Sequence, residues 1–268
     1  MTSFLLMRRA VAVVAPLALL LAACGDDDDT AADTVEAAVS VSFTAPADGD
    51  TFAGAVPFTM AADGLTIEPA GEVHADAGHF HVIADDGCVD VGEPVAKDAD
   101  HLHFGKAQAE GKIYLEPGSH DLCLQPGDGV HAALAPTDTV TVEVGITNRE
   151  ELCAVIKDTD VLFEEADTGG AEFPDRKVMY ENIRRLFVQL DDGLDQVDSD
   201  VQDSVAQAFT FGSSIATAFA EAADEASAVA AIETIYGTEG VQSGADSPWA
   251  EGSAWVLEQC GVDIDGEG

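Results

Sequence analysis

Histidines are the side chains of this sequence best suited to chemistry, and all seven of them fall between residues 74 and 131. Two pairs, His79 with His81 and His101 with His103, have a spacing of two. Residues two apart in a strand point to the same side of the sheet, so each pair would present its imidazoles together. If the two segments are neighbours, four imidazoles converge like the ligands of Zn²⁺, Cu²⁺ or Ni²⁺.

Other groups in the same region could complete such a site. His74 and His131 lie in predicted loops. Four carboxylates could bind the ion or orient a ring through its second nitrogen. They are Asp76, Asp85, Asp86 and Asp100. Met60 is the only methionine between residues 39 and 146, which argues against Cu(I) and for Zn or Cu(II). The candidate metal ligands are therefore His74, His79, His81, His101, His103 and His131.

The competing interpretation of these histidines involves no metal. Two histidines on one face of a strand can form a polar patch, hydrogen-bonded to each other and to the backbone. His120 follows the turn at Pro117-Gly118. We expect it to be structural rather than a ligand, in the corner role that tyrosine has in immunoglobulin-like sandwiches.

The segment 39–146 is predicted to be an antiparallel, immunoglobulin-like β-sandwich. Short runs of alternating apolar and polar residues are separated by clusters of Gly, Pro and Asp, which is typical of such folds. The predicted strands cover residues 39–43, 56–62, 78–84, 112–116, 119–125 and 139–145.

The segment 147–268 is predicted to be an α-helical bundle, because its apolar residues recur at helical spacing. Helices are expected over residues 151–163, 179–190, 201–219, 226–236 and 248–260. Gly212 marks a place where the third helix could break. The aromatic residues are expected in the core; they are Phe187, Phe209, Phe219 and Trp255.

The N-terminus has the pattern of a lipoprotein export signal over residues 1–23. Arg8 and Arg9 precede a short apolar run, and the small residues before Cys24 match a lipobox. Lipid on Cys24 would anchor the chain to a membrane. The alternative is an ordinary signal peptide cut after Ala23. Residues 24–38 begin with an acidic run and are predicted to be a disordered tether.

Four cysteines remain after Cys24, and their even number in an oxidising compartment predicts two disulfides. Three pairings exist. We favour Cys88–Cys123 and Cys153–Cys260, because each pair then lies inside one predicted domain. A cysteine metal site is the rival, but no C-x-x-C spacing supports it.

Four motifs together resemble a known family. They are residues 78–85 (GHFHVIAD), 101–105 (HLHFG), 115–122 (LEPGSHDL) and 127–131 (GDGVH). They resemble the bacterial domain-of-unknown-function family 4399, which implies a secreted, histidine-rich β domain over about residues 40–146. The resemblance leaves the helical half unexplained. Phe80 stands where the family pattern has a histidine, but it would face away from His79 and His81.

The charge balance excludes some partners. Acidic residues outnumber basic ones by 51 to 11, so a nucleic-acid partner is excluded and docking on anionic lipid is disfavoured. The sequence thus predicts a lipid-anchored, extracytoplasmic protein that binds Zn or Cu. The alternative is a non-catalytic module that binds an envelope protein without metal. A metal-dependent hydrolase is least favoured, because no G-x-S-x-G or H-E-x-x-H motif is present.

The net charge of −40 also predicts that stability requires salt. Repulsion among carboxylates destabilises the compact state at low ionic strength, and salt screens it. We expect the midpoint of thermal unfolding to rise from dilute to molar NaCl. A flat or falling midpoint would contradict this expectation.

Overall fold

The first part of the fold contains two β-sheets, in a computed structural model that describes residues 38–168, 170–238 and 248–264. The predicted signal peptide, Cys24 and most of the tether lie outside these residues. The strands in chain order are β1 (Ser40–Ala45), β2 (Asp50–Phe52), β3 (Ala55–Asp63), β4 (Thr66–Ile67), β5 (Ala77–Ala84), β6 (His101–His103), β7 (Glu110–Tyr114), β8 (Gly118–Gly127) and β9 (Asp138–Val144).

One sheet has the order β1-β3-β7 and the other the order β2-β9-β8-β5-β4, with β6 also paired to β5. Alternate residues of both sheets fill the space between them, as the period of two in a strand requires. Val56, Phe58 and Ile113 come from the first sheet, and Val82 and Leu124 from the second. The predicted β-sandwich is therefore confirmed.

Short strands account for most differences from the sequence prediction. The six predicted strands are present with ends shifted by a few residues, whereas β2, β4 and β6 have three residues or fewer. Runs of that length are too short to show an alternating pattern. β2 with β9 and β4 with β5 pair in parallel, and the other pairs are antiparallel.

Five α-helices follow the sandwich within the described residues, as expected for the second half. They are α1 (Arg149–Thr168), α2 (Phe173–Asp192), α3 (Gln202–Glu221), α4 (Glu225–Thr238) and α5 (Pro248–Cys260), with a 3₁₀ turn at Gly193–Gln196. The four aromatic side chains expected in the core are buried. No helix in the described ranges is long and apolar enough to cross a bilayer.

Two disulfides join Cys88 to Cys123 and Cys153 to Cys260, the pairing favoured from the sequence. The first links the segment after β5 to β8, and the second links α1 to α5. Disulfides persist in oxidising compartments, so they indicate an extracytoplasmic environment.

Helix α2 joins the helical part to the sandwich through the paired amide of one buried glutamine. Gln189 is completely buried. Its amide accepts a hydrogen bond from the backbone of Gly54 (2.7 Å) and donates to the carbonyls of Gly54 (3.1 Å) and Leu115 (2.7 Å). Tyr114 and Ile146 belong to the same apolar core as the helices. Buried polar groups that are all paired favour one docking geometry over others.

The expected break of α3 at Gly212 is wrong, because the helix runs unbroken from Gln202 to Glu221. Gly212 is present for packing instead. A methyl group on this residue would overlap the ring of Phe187 on α2. The missing side chain allows the two helices to approach closely at this point.

This packing predicts the effect of Gly212→Ala. Alanine has the higher helix propensity, but the clash with Phe187 should lower the free energy of unfolding by about 1–3 kcal/mol. Gly237→Ala in α4 is the matched control, since nothing lies within 4 Å of its added methyl group. The control should leave stability unchanged or raise it by up to about 1 kcal/mol. Urea unfolding measures the stability of both variants. An unfolding midpoint for Gly212→Ala equal to that of the wild type would contradict the close approach of α2 and α3.

Candidate metal centre

Strand β5 is buried on both faces, and its two faces have different chemistry. Phe80 and Val82 point into the sandwich core. His79, His81 and Ile83 therefore share the opposite, outer face of the sheet. Both histidines have no exposed surface at all. Because Phe80 points inward, it leaves both imidazole rings together on the outer face.

The strand register brings a third imidazole to the same face. β5 and β6 are antiparallel, with His81 opposite His103. Residues directly opposite in such a pair have side chains on the same side, with Cβ atoms about 4.5–5.5 Å apart. On the other side of β5, Gly127 of β8 lies opposite His79. A methyl group on Gly127 would be 2.8 Å from Nε2 of His81, so glycine leaves room for the ring.

The fourth imidazole comes from the loop that follows β8. His131 has a left-handed backbone conformation, with φ of 72°. Asp128 stabilises this loop: its side chain accepts hydrogen bonds from the backbone of Val130 and Ala132, both at 2.9 Å. The backbone amide of His131 donates to the carbonyl of Asp128, also at 2.9 Å. The loop is thus held in an unusual conformation that turns His131 back over the sheet.

These four side chains, His79, His81, His103 and His131, form what we call the four-histidine cluster. Their ring centroids lie 4.6–5.9 Å apart. The Nε2 atoms of His79 and His81 are 3.0 Å apart, and so are those of His103 and His131. One nitrogen from each of the first three rings lies within 4.8 Å of the others. Ligand nitrogens about 2.0–2.1 Å from a tetrahedral zinc are about 3.3 Å from one another, so this arrangement is close to a ligand shell.

The segment between β5 and β6 covers this face of the sheet. The disulfide at Cys123 ties it down, and the buried side chain of Gln125 hydrogen-bonds the backbone N–H (2.8 Å) and carbonyl (2.7 Å) of Val89. The backbone of Val95 donates to the carbonyl of His131 at 2.9 Å. A small apolar cluster around Ile83 lies beneath the segment. Of the four imidazoles, His79 and His81 are completely buried, whereas His103 and His131 are partly exposed.

Burial and mutual proximity lower the pKa values of three imidazoles of the cluster. Desolvation, followed by repulsion from His103 and His131, lowers the pKa of His79 to about 4, although Asp128 opposes this shift. Desolvation, followed by repulsion from His79 and His103, lowers the pKa of His81 to about 3. Desolvation and the neighbouring His131 also lower the pKa of His103. Neutral imidazoles carry the lone pair that a metal ligand needs.

The buried cluster has more ring nitrogens than hydrogen-bond partners. Each contact between two Nε2 atoms uses one proton and one lone pair. In addition, Nδ1 of His79 and Nδ1 of His81 are buried and have no partner in the described structure. Buried polar groups in proteins are rarely unpaired. A cation between the Nε2 atoms would use the lone pairs of both rings of each pair, with the proton of each neutral ring on Nδ1, so the facing Nε2 atoms fit a metal ion.

Two candidate ligands lie outside the cluster. His101 shares the outer face but sits opposite Ile83, and its Nδ1 is 2.8 Å from a carboxylate oxygen of Asp98. His74 is exposed, with Nδ1 2.7 Å from a carboxylate oxygen of Glu68. Both rings are occupied by carboxylates rather than directed to the other four.

His120 makes the contacts expected of a corner residue. Its Nε2 is 2.8 Å from the carbonyl oxygen of Glu116, four residues earlier in the chain. Its Nδ1 is 2.7 Å from the carboxylate of Asp85. Asp85 was expected as a possible metal-site carboxylate, but it orients His120 instead. Asp86 lies 3.7 Å from His101, and Asp100 binds a helical arginine described below.

Glycines are the functional residues that reasoning from histidines missed. A side chain on Gly105 would overlap the ring of His103, and one on Gly127 would press on His81. Both glycines stand inside the motifs noted in the sequence, in HLHFG and GDGVH. Their presence beside the histidines was the available signal that the rings need space.

Among solved structures, one entitled "Structures of Clostridium thermocellum CbhA fibronectin(III)-like modules" is similar to this chain at 16% sequence identity. It covers 39% of this chain and 95% of its own, with a TM-score of 0.26. No curated protein matches the sequence.

The family resemblance noted from the motifs is confirmed for part of the chain. One segment of the chain matches a family model. It contains all four clustered histidines and both glycines that make room for them, and the five helices lie beyond it. Residues 58–145 match the family model described as Domain of unknown function (DUF4399).

Proposed function

We propose that this protein is a membrane-anchored, extracytoplasmic lipoprotein that binds one divalent transition metal ion, Zn²⁺ or Cu²⁺, at the four-histidine cluster. The observation that carries the proposal is that ring nitrogens of His79, His81 and His103 lie within 4.8 Å of one another on the outer sheet face, with Nε2 of His131 3.0 Å from that of His103. Polar groups are costly to bury without good partners, so an ion that uses the lone pairs of the facing Nε2 atoms supplies a reason for the arrangement.

The donor atoms favour these two metals. All four side chains offer imidazole nitrogen, the donor that Zn²⁺ and Cu²⁺ share, and no thioether or thiolate is part of the cluster. His79, His81 and His103 are held by paired strands, so they would form the rigid part of the ligand set. His131 would close it from the loop after β8.

Four protein ligands favour a protein that holds an ion over one that hydrolyses a substrate. Catalytic zinc sites keep an open position for water or substrate, whereas a site closed by four side chains does not. The segment fixed by Gln125 and the Cys88–Cys123 bond further limits access. Ion storage or transfer to an envelope protein is therefore the activity that this geometry supports.

The lipid anchor rests on the N-terminal pattern together with the disulfides. The export signal over residues 1–23 and the small residues before Cys24 support lipid attachment at that cysteine. The two disulfides agree with a compartment outside the cytoplasm.

Metal binding is tested with protein purified without a polyhistidine tag. Wild-type protein should bind one equivalent of Zn²⁺ or Cu²⁺ by elemental analysis and titration calorimetry. The double variant His79→Ala/His103→Ala removes half of the donors and should lose at least about 100-fold in affinity. His74→Ala is the matched control, because this ring lies outside the cluster, and it should bind like the wild type.

Circular dichroism of each variant shows whether a loss of metal affinity reflects unfolding. His131→Ala is a further variant, with a single change in the loop after β8. Unchanged affinity in a folded double variant would refute the site. A wild-type protein that binds neither metal would instead favour the module that binds an envelope protein without metal.

Lipid anchoring is tested by Cys24→Ser in a bacterial host. The hydroxyl cannot accept the thioether-linked lipid, so the variant should move from the membrane fraction to the soluble fraction. Labelling with a radioactive fatty acid should be lost at the same time. Retained labelling in Cys24→Ser would exclude this cysteine as the anchor.

A further inference from the structure

The helical half of the chain lies outside the segment that matches the family model, yet one of its side chains reaches the strand that carries His103. Arg185 projects from α2 and is only 7% exposed. Its guanidinium donates to the carbonyl oxygens of Ala99 (3.3 Å) and Tyr114 (3.0 Å) and to the carboxylate of Asp100 (2.8 Å). An arginine fork can bind several oxygens in a fixed geometry, which lysine cannot do.

Ala99 and Asp100 form the turn that leads directly into β6. Asp98 stabilises this turn, because one of its carboxylate oxygens accepts hydrogen bonds from the backbone of Asp100 (2.9 Å) and of His101 (3.0 Å). The carbonyl of Asp100 in turn accepts from the backbone of Ala84 at the end of β5 (2.9 Å). Arg185 therefore fixes the start of β6 relative to both β5 and α2.

β6 needs such support because it is very short. It has three residues in register with β5, with one further backbone hydrogen bond on each side, from Ala84 to Asp100 (2.9 Å) and from Phe104 to Phe80 (3.0 Å). A displacement by one residue would turn His103 away from the outer face, since alternate residues of a strand point to opposite sides. The ladder of a three-residue strand resists such a shift weakly. The contacts of Arg185 at its entrance restrain it from outside the sheet.

We infer that Arg185 is a positioning residue of the metal centre, by which the helical part holds His103 opposite His81. This inference rests on the proposed function. It assigns to the helical half a role in setting the affinity of the four-histidine cluster. Arg185 itself touches no ligand atom and acts through Ala99 and Asp100.

The experiment compares Arg185→Met with Arg184→Gln in the whole exported protein. Arg184 is the matched control, because it also connects α2 to the sandwich, through Glu116 at 2.7 Å, but it does not contact the entrance of β6. Cu²⁺ affinity and the electron paramagnetic resonance spectrum of the bound ion are measured for each. Hydrogen exchange of the metal-free proteins over residues 98–105 provides a readout without metal.

Arg185→Met should lose about 10-fold or more in affinity, which is the range seen when groups behind a ligand are removed. Its spectrum should change, and exchange over residues 98–105 should accelerate. Arg184→Gln should keep the wild-type affinity, spectrum and exchange. If Arg185→Met does not fold, Asp100→Ala tests the same link from the exposed side, with the same expected losses.

The outcomes separate the two ideas. A wild-type protein that binds Cu²⁺, together with a folded Arg185→Met variant of equal affinity and spectrum, overturns the inference and leaves the proposed function intact. A wild-type protein that binds neither Cu²⁺ nor Zn²⁺ overturns the proposed function. Equal exchange over residues 98–105 in Arg185→Met and wild type overturns the positioning role irrespective of metal.

Discussion

The antiparallel pairing of His81 with His103 is the constraint on which the rest of the candidate site depends. It places two rings side by side on one face of the sheet, and the period of the strand adds His79 to them. Three imidazoles in contact, two of them completely buried, cannot all be protonated without strong repulsion and desolvation. Burial of this face therefore requires neutral rings. Neutral rings have the lone pairs that would bind an ion.

Much of this arrangement could be predicted from alternation alone. The sequence His79-Phe80-His81 places two polar rings on one face and an apolar ring on the other, and the structure has Phe80 in the sandwich core. The disulfide partners followed from the assumption that each bond stays within one part of the chain. These predictions succeeded because they depend on local periodicity and on cysteine number, which a single sequence contains.

Other features depend on contacts that no local pattern records. His101 and His103 look equivalent in sequence, but the register places His101 beside Ile83 and within reach of Asp98. The approach of His131 depends on a left-handed backbone conformation that non-glycine residues rarely adopt. Gly212 has low helix propensity, yet the space beside Phe187 decides its role. In each case a tertiary contact overrides the local preference.

The shortness of β6 has a further consequence for the sheet edge. Strand β5 has eight residues, and its edge is covered by β4 along one end and by β6 along the other. A long uncovered strand of this kind is a template on which another chain can add by backbone pairing. Two fragments of two and three residues offer no such template. The segment that carries His103 therefore also occupies part of the β5 edge with which another chain could pair.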